Sequence, residues 1–154
     1  MQPLLHWLES TGIAASVASS TMLTASLSAG HVIGFTLVIG GALVANLRSL
    51  GALFRERNAV DVAGPANRAI LLGLAISVST GFLLFSARAT EVGANGTFRL
   101  KMLLLVLAAL VHFVLQPRAA ASVGGPQLAR AASAIDLTLW LGLAVTACAF
   151  ILLE

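Results

Sequence analysis

The chain has 154 residues, of which 58% are hydrophobic and 10% charged, with a mean hydropathy of +0.97 and a formal net charge of +3. That composition lies outside the soluble globular range and describes an integral membrane protein in a lipid bilayer. The nine Lys and Arg sit at the ends of apolar segments rather than in a basic stripe, which excludes nucleic acid as a partner, and the single Cys148 excludes a disulfide framework.

Before the first apolar run, Pro3 to Thr11 (PLLHWLEST) reads as a short helix with Leu4, Leu5, Trp7 and Leu8 on its apolar side, suited to the membrane interface. His6 beside Trp7 is an amphipathic residue at headgroup level. No Lys or Arg precedes Arg48, so the positive region of a signal peptide is missing and the first apolar segment is expected to be retained.

Four segments then have membrane-spanning character, at roughly 23–47, 69–85, 100–115 and 131–153. The second and third are short and need flanking residues. The connections are brief: the first contains Arg48, Arg55, Glu56, Arg57, Asp61 and Pro65, the second Gly93 to Gly96, and the third Pro117, Gly124, Gly125 and Pro126. Short loops make neighbouring helices antiparallel, so the expected fold is an all-α, integral membrane four-helix up-down-up-down bundle in one domain, preceded by the interfacial helix. The first and third loops hold six arginines (Arg48, Arg55, Arg57, Arg68, Arg118, Arg130) and the second holds Arg88, Arg99 and Lys101, which predicts both termini on the outer side.

His31 and His112 lie deep inside the first and third segments. An imidazole in hydrocarbon is costly without a partner. Counted from the outer ends, His31 is about 12 Å and His112 about 18 Å deep. Diagonal helices in a bundle would turn both toward one haem of the non-covalent b type, with the imidazoles as axial ligands to the iron and electron transfer as the function. Gly34, Ala108 and Ala109 are small residues that leave room for the flat porphyrin, and they are equally what close helix packing uses. The plainer reading of the histidines is a hydrogen bond across helices to Ser28, Ser77, Ser79 or Thr80. Arg99 or Lys101 would hold a haem propionate or act as an interfacial anchor.

Asp136 is the other intramembrane ionisable group. It is expected to pair with Arg130 or Arg118, or else to form a proton or polar path with Ser77, Ser79 and Thr80. Met22, Met102 and Cys148 raise a copper reading, although they form no metal-binding spacing.

The runs LLHWLESTG, SAGHVIGFTLVIGGALVANLRSLG and TGFLLFSARATEVGANGTFRLKMLLLVLAALVHF resemble a family of small bacterial four-helix membrane proteins of unknown function. They resemble more distantly the copper-resistance-D-like and b-type cytochrome membrane bundles. The resemblance implies a bacterial cytoplasmic (inner) membrane location and a four-span fold. The chain is thus expected to be a membrane cytochrome working with quinone or an outer-side redox protein. One competing expectation is a cofactor-free subunit or scaffold of a larger complex or homo-oligomer, marked by a lipid-facing stripe of Gly34, Gly40, Gly41 and Ala45. The other is a small copper or solute permease. With no sizeable domain outside the membrane, the chain has no evident place for substrate chemistry.

Overall fold

The structure is a computed structural model that describes residues 2–121 and 125–153. It is all-α. Helices α1 (Gln2–Glu9) and α2 (Gly12–Ser19) precede the long α3 (Thr21–Ser49) and α4 (Ala59–Ser86). A short α5 (Ala89–Ala94) leads into α6 (Gly96–Leu110), a π turn (Val111–Leu115) and α7 (Gln116–Ala121), and α8 (Gly125–Leu153) closes the chain. Four helical stretches, 21–49, 60–86, 96–121 and 125–149, are long and apolar enough to cross a bilayer, which makes this a multi-pass membrane protein.

The spans are longer than expected because polar residues at their ends are helical too. Helix α4 starts ten residues before the predicted Ala69 and carries Pro65 in its second turn, where the missing N–H costs one bond near the helix start. The third span starts at the Asn95 cap, whose side chain accepts from the Thr97 and Phe98 N–H groups at 2.8 and 3.1 Å. It runs through Pro117, which is helical rather than in a loop; Gly124 lies outside the described residues.

Helix α3 packs along α4 and against α8, and the third span packs on α8. The α3–α4 contact depends on glycine. A Cβ on Gly34 would stand 2.8 Å from the Ser77 N, and one on Gly73 would run into the Gly34 carbonyl. Gly41 faces the Ala66 carbonyl in the same way. Backbones this close gain dispersion contacts that replace the hydrophobic effect, which is weak between helices in lipid. Gly34, Gly41 and Ala45 are therefore buried within the chain, and only Gly40 of the expected stripe is exposed. Val38, Ala42, Ile70, Ala108, Trp140 and Leu143 form the apolar core, while Leu71, Val78, Val106 and Val145 face outward, where lipid chains cover them.

The interfacial segment is more elaborate than predicted. Thr11 caps α2, and Ser20 breaks the chain before capping α3 through the Leu23 N–H at 3.3 Å. Helix α1 docks on α5. Glu9 accepts hydrogen bonds from the Thr90 N–H at 2.7 Å and hydroxyl at 2.5 Å, and Leu5 packs on Gly93.

Two outcomes follow from this packing. Gly34→Leu is expected to destabilise the bundle by about 1–3 kcal/mol by forcing α3 from α4. Gly40→Leu, with open space around it, should stay within about 0.5 kcal/mol, both read by reversible unfolding in mixed detergent. The Thr90 hydroxyl and N–H hold the Glu9 carboxyl below the usual glutamate range. A depressed carboxylate stabilises the docked state above its unfolded pKa, and that contribution fades as pH falls through the folded value. Amide-exchange protection of α1 should therefore drop on acidification below the ordinary glutamate range near pH 4.3, and Glu9→Gln should have lost that dependence.

Candidate functional site

The third span would be an uninterrupted α-helix but for Pro117. A proline cannot donate to the carbonyl four residues back, and its ring crowds that carbonyl. The helix accommodates this by widening into a π turn over Val111–Leu115, in which the Gln116 N–H reaches the Val111 carbonyl. The widened turn turns both His112 and Gln116 toward the other spans.

His112 Nδ1 lies 2.6 Å from Asp136 Oδ2 on α8, and the two side chains are 2% and 0% exposed. His112 Nε2 lies 3.0 Å from Asn67 Oδ1 on α4. Asn46 on α3 donates from Nδ2 to the same Asp136 oxygen at 2.7 Å and to the Ala42 carbonyl at 2.9 Å. Gln116 Nε2 donates to Asn46 Oδ1 at 2.7 Å and to the Ser133 hydroxyl at 3.0 Å, and Ser133 lies 2.8 Å from the Ser49 hydroxyl. All four spans thus supply a polar group to one cluster.

The cluster fixes where protons sit. Both hydrogens of the Asn46 amide are used and its oxygen accepts, so that amide cannot rotate. Since the Asn67 oxygen can only accept, His112 Nε2 carries a hydrogen. A single proton then lies between Nδ1 and Oδ2, giving either an imidazolium–carboxylate pair or a neutral imidazole with a carboxylic acid. These forms differ by the movement of one proton across a short contact. From Asp136 the polar side chains lead through Asn46, Gln116 and Ser133 to Ser49, which is exposed at the end of α3 beside Arg48. In the other direction Trp140 and Leu143, both 1% exposed, close the core.

His31 belongs to a different place. Its Nδ1–H donates to the Ser77 carbonyl at 2.8 Å, and the Ser77 hydroxyl donates back to the His31 carbonyl at 3.0 Å. The Thr80 hydroxyl is 3.4 Å from Nδ1, and a Cβ on Gly81 would be 2.8 Å from the ring. The plainer reading of His31, a bond to the neighbouring helix, matches this arrangement. Ser79 is exposed and takes no part.

The two histidines do not lie at the matching depth expected of them. His112 stands level with Asn46, which both meet at Asp136, and Asn46 is 15 residues beyond His31 on α3, about 22 Å along the axis. Two axial ligands must meet one iron atom, so a haem held by both His31 and His112 does not fit these residues. Both His112 nitrogens are already bonded within the protein. The room expected at Gly34 and Ala108 is filled, by the α4 backbone and by the core respectively, and Ala109 is half-buried. Arg99 donates to the Gly93 carbonyl at 3.0 Å, while Lys101 is half-buried one turn into α6. Asp136 pairs with neither expected arginine; Arg118 donates to the Val114 carbonyl instead. Met22, Met102 and Cys148 are exposed on three separate helices, and among the described residues no group of three His, Cys, Asp or Glu could hold a metal ion.

Comparison of the chain with family models, with curated proteins and with solved structures finds no match.

Asn46, Asn67, Gln116 and Ser133 were not evident as site residues from the sequence. The usable signal was a polar side chain every turn near the arginine-rich end of each span, together with Pro117. The coupling can be measured. His112→Leu strands the Asp136 carboxylate and is expected to cost about 3–5 kcal/mol, whereas the double variant with Asp136→Leu should recover much of that loss in a double-mutant unfolding cycle.

Proposed function

We propose that this protein handles protons within the membrane, with the Asp136–His112 pair as the group that binds and releases them. The single observation behind this reading is the 2.6 Å contact between two titratable side chains that are 0% and 2% exposed inside a bundle whose outer surface faces lipid. Ionisable groups at such depth are expensive and mark proton or ion pathways by default. With its one shared proton the pair carries no net charge, and release of that proton leaves a single carboxylate that the Asn46 amide still bonds, so the pair can alternate between a neutral and an anionic form.

The polarity of the surroundings gives the pair a side. Ser49, Ser133, Gln116 and Asn46 supply polar groups toward the arginine-rich end, and the apolar core closes the opposite direction. The serine hydroxyls can both donate and accept. The locked amides hold the pair in place and set its geometry. The arginine-rich end would face the cytoplasm by the positive-inside rule, so protons would be exchanged with that side. This reading favours a proton-coupled permease over a membrane cytochrome. The quinone and redox-partner expectations depend on the haem and carry no weight in this reading.

The test uses the purified protein in liposomes that enclose a pH-sensitive dye, with a pH gradient and a potassium–valinomycin potential applied. Wild type is expected to pass protons above the level of protein-free vesicles. Asp136→Asn should lower that flux at least tenfold, and Asp136→Glu should restore part of it. Equal flux from wild type and Asp136→Asn would make the cluster a lock on helix register, as a scaffold subunit needs. Absorption spectra of the oxidised and dithionite-reduced protein complete the comparison. A six-coordinate b-haem spectrum lost in both His31→Ala and His112→Ala would overturn the proton reading in favour of the cytochrome.

A further inference from the structure

Among the described residues, three buried side-chain polar atoms have no hydrogen-bond partner: Arg48 Nε near the end of α3, and Asp136 Oδ1 and Trp140 Nε1 in the core. The last two belong to residues four apart on α8, so their side chains lie on one face of that helix a single turn from each other. The two groups also converge on the same imidazole. Asp136 bonds His112 through its other oxygen, and the Trp140 ring meets His112 edge-on with centroids 6.2 Å apart.

The donors and acceptors there restrict what can bind. An indole N–H presents positive charge, which repels a metal cation or an ammonium group. A carboxylate oxygen repels an anion. A ligand must therefore accept from one atom and donate to the other while remaining neutral, and groups one helical turn apart, about 5.4 Å along the axis, are bridged by a molecule the size of water. We propose that Asp136 Oδ1 and Trp140 Nε1 form a binding site for a single water molecule, which accepts the indole N–H and donates to the carboxylate. Buried polar groups are satisfied by ordered water where protein partners are lacking, and a water with such partners is retained. This site rests on the proton-handling reading only for its purpose, since the water would be the first hydrogen-bonded step beyond Asp136 toward the otherwise closed half of the bundle. Its existence stands on the two unpartnered atoms alone.

The experiment uses Trp7→Phe protein, in which Trp140 is the sole indole, because Trp7 is exposed and lies outside the spans. Infrared difference spectra are recorded in ordinary and in oxygen-18 water. The expected result is an O–H stretching band that shifts with the isotope, disappears in Trp140→Phe and persists in Ser133→Ala. Ultraviolet resonance Raman of Trp140, which needs no change at the site, should report a hydrogen-bonded indole N–H. A free indole N–H, or an isotope-sensitive band left unchanged by Trp140→Phe, would overturn the proposal. The liposome assay separates the two ideas: a wild type that passes no protons yet keeps the isotope-sensitive band removes the proton-handling function and leaves the water site standing.

Discussion

A carboxylate in an apolar bundle must be hydrogen-bonded or neutralised, and Asp136 obtains both through one oxygen that His112 and Asn46 share. Much of the bundle's geometry follows from meeting that demand. Asn46 fixes where α3 stands against α8, His112 fixes the third span, and Asn67 brings in α4 through the far side of the imidazole. Each partner is itself held by a further bond, so rotating any one span by a residue would break several contacts together. Polar networks in a low dielectric behave this way: complete they define one arrangement, and incomplete they are costly.

The rest of the bundle is held by different means at different places. Around Gly34 and Gly73 the α3 and α4 backbones touch, and the energy there is dispersion between close-packed atoms. In the middle, Trp140 and Leu143 fill the space between the spans and separate the His31 region from the Asp136 cluster. The two histidines that look alike in the sequence therefore have unlike roles. His31 ties two neighbouring helices through main-chain carbonyls, whereas His112 bonds Asp136 on α8 and Asn67 on α4 at a four-helix junction.

The four spans and the all-α class were legible because apolar runs of this length have one physical solution in a bilayer. Span ends were less legible, since Asn67 and Arg68 look like loop residues until a helix carries them past the hydrocarbon. The second short helix, α2, was missed because GIAASVAS reads as a weak lead-in to α3; only the Thr11 and Ser20 caps divide it off. The pairing of His112 with Asp136 was beyond reach for a specific reason. An ideal α-helix from an assumed outer end gives a depth but not a phase, and the phase of the third span is set by a π turn that Pro117 imposes. Asp136 was recognised as an intramembrane charge but given to surface arginines, because proximity in sequence to Arg130 says nothing about which face of α8 it occupies.

The contact between Glu9 and Thr90 has a consequence for how the protein is made. Glu9 lies on α1, and its partner follows 81 residues later in the chain, after two complete spans. Helix α1 therefore has no docking partner until α3 and α4 are already inserted and α5 has emerged between the second and third spans. Helix α1 is thus among the last of these elements to settle, because its closure onto α5 requires the α3–α4 hairpin to be in place.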